Sequence, residues 1–167
     1  MLAVLVSIPI LGGLLMLQSA VIGRMQLLNG TADLILIAVL AWSLQRRVQT
    51  AWHWSIIGGL MVAAVSALPT LVPLIAYPLS VAVALLLRQR VWQVPLLAMF
   101  VATFVGTVIT HFFSLTALRL VGDALPLSAA LNLVTLPSLL LNLLLAIPIY
   151  PIMSELAANL YPEELEV

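Results

Sequence analysis

The chain has no cysteine and no lysine, and only 7% of its 167 residues are charged. Each scarcity excludes a class of protein. Without cysteine there is no disulfide frame, no thiolate metal site and no cysteine nucleophile. Six arginines balance six acids, so the formal net charge is zero and no net positive field draws the chain to nucleic acid. A soluble domain carries roughly a quarter charged residues. With so few, the outside of this chain cannot be covered by polar groups and must meet lipid.

What is present is hydrocarbon. The hydrophobic share is 64% and the mean hydropathy is +1.25. A membrane-crossing helix takes about 20 apolar residues, and on that measure the chain divides into six spans, at about 2–23, 31–45, 52–68, 71–87, 92–118 and 131–153. The first begins at Met1 with no basic residues ahead of it, which favours a membrane helix over a cleaved signal peptide. Asn29-Gly30-Thr31 marks a turn before the second, which is short. The stretch from Trp52 to Leu87 is too long for one crossing and divides near Pro69-Thr70. Residues 154–167 form an acidic tail. The expected fold is a single all-α transmembrane domain.

The arginines support this count. With the N-terminus inside, Arg46, Arg47, Arg88 and Arg90 fall in cytoplasmic loops and act as topology anchors, whereas Arg24 and Arg119 lie outside. The same arrangement places both termini in the cytoplasm. Trp42, Trp52, Trp54 and Trp92 flank the arginine loops, where aromatic residues anchor helices at the membrane surface. The arginine pairs are also suited to anionic lipid or an acidic partner.

Small and polar residues inside the spans mark helix contacts. Gly59, Ala63 and Ala67 repeat every four residues, and Ser19 with Gly23 forms a single such pair. Both read as close-packing faces, and they are candidates for holding a partner helix. In the fifth span Thr103, Thr107, Thr110, His111 and Ser114 share one stripe, and in the sixth Asn132, Thr135, Ser138 and Asn142 form another. The two stripes can join helices by hydrogen bonds or line a small polar cavity. His111 is a functional candidate because an ionisable group inside a membrane is costly. Asp33 sits in the first turn of the second span, where capping accounts for it. No G-x-S-x-G, H-E-x-x-H or phosphate-binding loop occurs, and His111 with Ser114 lacks an orienting acid, so no catalytic, cofactor or metal residue is assigned.

Three stretches carry a family resemblance. They are Thr31-Ala-Asp33 leading into an apolar run to Trp42, the Gly58-Gly59-Leu60 turn, and Leu136-Pro137 through Asn142, Pro148 and Tyr150 to Met153. Together they resemble the rod shape-determining protein MreD family. Ala32 stands where that family commonly has proline, and no acid follows Leu60 where many members have one. The resemblance implies a non-enzymatic scaffold of the bacterial cell-elongation machinery in the cytoplasmic membrane. Its relatives associate with the single-pass protein MreC and with the wider complex of MreB, RodA and a penicillin-binding protein that organises peptidoglycan synthesis. A homodimer is a further arrangement of such a scaffold. It also implies a bundle like the substrate-binding subunit of energy-coupling-factor transporters, and with it an alternative function, the binding of a small vitamin-type molecule. An intramembrane enzyme built on His111 is a weaker third expectation.

Overall fold

The computed structural model describes residues 2–20, 29–90, 94–122 and 126–162. Gly23 and Trp92 lie outside the described residues, as does the side chain of Arg90. All the regular elements described are helices: α1 (Leu2–Ala20), α2 (Leu34–Leu44), α3 (Ala51–Val65), α4 (Leu71–Arg90), α5 (Pro95–Val121) and α6 (Leu127–Leu160), the last interrupted by a π-helical segment at Ala130–Thr135. Helices α1, α4, α5 and α6 are long and apolar enough to cross a membrane. Their outward side chains are apolar, among them Leu5, Met16, Leu86, Phe112 and Leu140. Such a surface is stable against lipid and not against water. The described residues form an all-helical bundle whose length and composition are compatible with a membrane.

The expectation of six full spans is corrected at α2. Its 11 residues extend about 16 Å at 1.5 Å per residue, roughly half the hydrocarbon thickness. Every one of them is buried. The helix is a central rod, packed against α1, α3, α4, α5 and α6 in turn. Apolar runs of this length belong in a protein core as readily as in a bilayer, and here the core is the answer. Helix α3, with 15 residues, is also shorter than its expected span. It stops at Val65 because the next residues lead into Pro69, whose preceding residue is barred from helical geometry.

Helices α4 and α6 are longer than expected, and α5 has the expected length but is shifted by three residues. Helix α5 starts with Pro95 in its first turn and ends at Gly122, which adopts the left-handed conformation (φ 94°) that terminates helices. Helix α6 continues to Leu160, so residues 154–160 are helical and not a free tail. Its end is fixed to the bundle: the Tyr161 hydroxyl lies 3.2 Å from Thr50 Oγ1, and the Tyr161 ring packs at 6.2 Å from Trp42.

One end of the bundle gathers the first residues of α1, the α2–α3 loop, the end of α4 and the end of α6. Trp54 Nε1 donates to the Ala3 carbonyl (2.9 Å), and Arg47 donates to the Tyr161 carbonyl (3.5 Å). The tryptophans depart from the expected surface anchors. Trp42 and Trp54 are fully buried and stacked on each other at 4.2 Å, while Trp52 is half exposed. Two indoles at the right depth have turned inward because each N–H finds an internal acceptor, Thr50 Oγ1 for Trp42 and Ala3 for Trp54.

Candidate functional site

The polar residues of the bundle converge where α2 begins, and the cause lies in α6. Pro137 has no N–H to give the carbonyl of Leu133 four residues earlier, and its ring crowds that carbonyl. The helix widens into a π-turn over Ala130–Thr135, which relieves the crowding. The Leu133 carbonyl is then taken by the backbone N–H of Asn29 at 3.0 Å. Two more donations follow at every second residue of this extended segment. Thr31 N donates to Ser138 Oγ (3.0 Å) and Asp33 N to Asn142 Oδ1 (2.8 Å). The lead-in to α2 therefore lies along α6 like a strand edge, with acceptors at 133, 138 and 142. Gly30 makes the approach feasible. A Cβ there would lie 2.6 Å from Ser138 N and 2.7 Å from Pro137 Cβ.

Asp33 closes the start of α2. Its Oδ1 accepts from the N–H of Leu36 (3.0 Å), a side-chain N-cap. The Tyr77 hydroxyl of α4 donates to both carboxyl oxygens, at 2.8 and 2.7 Å. The next backbone donor, Leu34 N, goes to Gln18 Oε1 of α1 (2.8 Å). Asn142 Nδ2 donates onward to Thr107 Oγ1 of α5 (2.9 Å). Side chains from α1, α4, α5 and α6 thus meet around one helix terminus. Thr107 and Asn142 stand near the middle of α5 and α6, so α2 starts at mid-bundle depth and not at an end of the bundle. Irregular backbone at that depth is tolerated only where protein satisfies its polar groups, and these contacts do so.

The two predicted stripes are brought together only in part. Thr107 and Asn142 bond directly, and Thr135 Oγ1 lies 3.3 Å from His111 Nδ1. Thr110 and Ser114 turn back onto their own helix, donating to the carbonyls of Gly106 and Thr110. Thr103 is fully buried and its hydroxyl has no hydrogen-bond partner among the described residues. Asn132 is exposed and does not join the stripe, because the π-turn rotates it away from Thr135.

The small-residue face packs within the chain at Gly59. A Cβ on Gly59 would lie 3.0 Å from the Pro73 carbonyl, so Gly59 belongs to the α3–α4 seam and is not open to a partner. Ala63 is half-buried, and Ala67 is exposed and beyond the end of α3. Ser19 is exposed on α1. Of the family-like positions, Asp33, Pro137 and Asn142 join one network, while Pro148 and Tyr150 lie further along α6 towards the arginine-bearing end.

Gln18 and Tyr77 escaped the sequence reading, and Gly30 was read only as part of a turn. Tyr77 carried a signal: a tyrosine inside an apolar run, away from either membrane surface, needs a buried partner for its hydroxyl. Gln18 had none that sequence alone could resolve, and the turn at Gly30 gave no sign of its approach to α6.

Comparison with protein-family models, with curated proteins and with solved structures returned no match.

Proposed function

We propose that the protein is a non-enzymatic membrane scaffold of the rod shape-determining MreD type, which holds the transmembrane helix of a single-pass MreC-like partner in the cytoplasmic membrane of a bacterium. The observation that supports this reading is the α2–α6 seam. The two stretches that most resemble the family, 31–42 and 136–153, lie against each other, joined through Thr31–Ser138 and Asp33–Asn142. The network there spends its polar groups on one another: Asp33 on Tyr77 and Leu36, Asn142 on Asp33 and Thr107. A protein whose intramembrane polar groups lock its own helices offers other molecules its lipid-facing surfaces and its ends. In lipid, helices associate through packing and through hydrogen bonds averaging about 0.6 kcal/mol each, so a scaffold of this kind needs a rigid bundle more than a reactive group.

The orientation follows from charge. Arg46, Arg47 and Arg88 share the end of the bundle that also holds both the start of α1 and the end of α6, and positive charge stays on the cytoplasmic side. Both ends of the chain are then cytoplasmic. In that position the scaffold stands between a periplasm-facing partner and the MreB, RodA and penicillin-binding protein complex of cell elongation.

The test is affinity isolation of the tagged chain from membranes in mild detergent, with proteins and small molecules both identified by mass spectrometry. A stoichiometric single-pass partner together with peptidoglycan-synthesising proteins is the expected result. Recovery of a bound vitamin-like molecule, or of an ATPase with its membrane coupling subunit, would overturn it in favour of a transporter subunit.

A further inference from the structure

A second site stands at the opposite end of α2. A cavity of about 280 Å³ opens between the α2–α3 loop, the end of α4, the start of α5 and the end of α6. Arg46, Arg47 and Arg88 line it, and among the described residues no acidic side chain does. Tyr150 and Ser154 contribute hydroxyl-bearing side chains, and Leu44, Ala98 and Ala157 form an apolar wall.

The three arginines are held there by the fold. Arg88 donates from one nitrogen to the carbonyls of Ser43, Gln45 and Val48 (3.3, 3.0 and 3.0 Å), which ties the end of α4 to the α2–α3 loop. The loop in turn carries Arg46 and Arg47, both exposed. The first turn of α5, at Pro95, forms part of the same wall, and the positive end of that helix dipole adds to the field. Guanidinium groups are planar forks that match the oxygens of phosphate, and they give up water more easily than ammonium groups.

We infer that this cavity binds the phosphate group of an anionic phospholipid headgroup. The chemistry calls for an anion, and the position selects its source. The cavity lies at the end of the lipid-facing helices α5 and α6, the depth at which headgroup phosphates sit, and its apolar wall suits the glycerol and upper acyl carbons. Basic pockets between membrane helices are where such headgroups are bound. The inference needs only a membrane protein and holds whether or not the scaffold reading does.

The experiment titrates the delipidated full chain in detergent with phosphatidylglycerol, with phosphatidylcholine and with inorganic phosphate, and counts bound ligand by native mass spectrometry. Phosphatidylglycerol is expected to be retained over phosphatidylcholine. Each arginine near a headgroup is worth about fivefold, so an Arg46→Gln/Arg47→Gln double variant should lose more than about tenfold of that preference. Ala158→Trp, on the exposed rim, should lose it too, because it fills the cavity and leaves every charge in place. Arg119→Gln, on the last turn of α5 at the other end, should keep it. Equal retention of the two lipids, or an unchanged preference in Ala158→Trp, overturns the site. Full displacement of the lipid by inorganic phosphate overturns the lipid source and assigns the cavity to a soluble phosphate.

Discussion

The two ends of α2 solve the same problem in opposite ways. Each terminus leaves backbone groups that the helix itself cannot satisfy. At the start, deep in the bundle, donors are in surplus, and the protein answers with acceptors: Asp33 for Leu36, Gln18 for Leu34, and Asn142 and Ser138 for the residues just before. At the finish, carbonyls are in surplus, and one guanidinium answers for three of them. The deep end is tied together by side chains, among them Asn142 and Thr107. The other end, at the edge of the bundle, keeps a cavity. Depth explains the difference. A gap among polar groups in the middle of a bilayer has no water to fill it, while the same gap at the surface is a place for a ligand.

The sharpest way to break this comparison is at Gly30. Valine there meets Ser138 N, Pro137 Cβ and the Val134 carbonyl of α6 and should cost about 3 kcal/mol or more, or prevent folding. Unfolding in mixed detergent micelles measures it. Gly122→Ala is the control, since no atom lies within 4 Å of its Cβ and only the left-handed backbone is strained, at about 1 kcal/mol. Next comes Asp33→Ala, which removes a cap and leaves the Tyr77 hydroxyl unpaired. A loss of about 2–3 kcal/mol is expected. Combined with Tyr77→Phe, the double variant should lose clearly less than the sum of the two, and strict additivity would show that the pair is not coupled.

At the shallow end the effect should be smaller. Arg88→Gln is expected to cost about 1–2 kcal/mol, because water can reach the three carbonyls it abandons. A loss equal to that of Asp33→Ala would erase the distinction between the ends. The smallest change belongs to His111→Ala. Its one hydrogen bond, to Thr135, is long at 3.3 Å, and Thr135 keeps its bond to the Ala130 carbonyl. About 0.5 kcal/mol is expected, in line with single interhelical hydrogen bonds in membranes.

Much of this fold was legible in composition and spacing. Six apolar runs became six helices, and the threonine and asparagine stripes of α5 and α6 do meet, at Thr107 and Asn142. What hydropathy could not distinguish was a helix surrounded by lipid from one surrounded by other helices. The run at 34–44 is equally apolar on all sides in either case. Only its length hinted at a core position. Asp33 was read as a cap, and it is one, but its bonds with Tyr77 depend on how α4 registers against α2. Register is a property of packing and not of either segment alone. The inward turn of Trp42 and Trp54 was hidden for the same reason. Pro137 was visible as a family-like position, whereas the carbonyl it frees has meaning only once Asn29 is beside it.

The central claim is that α2 begins at the middle of the bundle. The absence of native cysteine allows a direct measurement with single spin labels at Thr31→Cys, Val108→Cys and Leu120→Cys in lipid vesicles, reading depth from relaxation by oxygen and by a water-soluble nickel complex. Thr31 is exposed at the start of α2, Val108 is exposed at mid-α5, and Leu120 is exposed at the end of α5. The account predicts that the label at 31 reports the depth of the label at 108, rich in oxygen and poor in nickel. A label at 31 as accessible to nickel as the label at 120 would place the start of α2 at the membrane surface and contradict it.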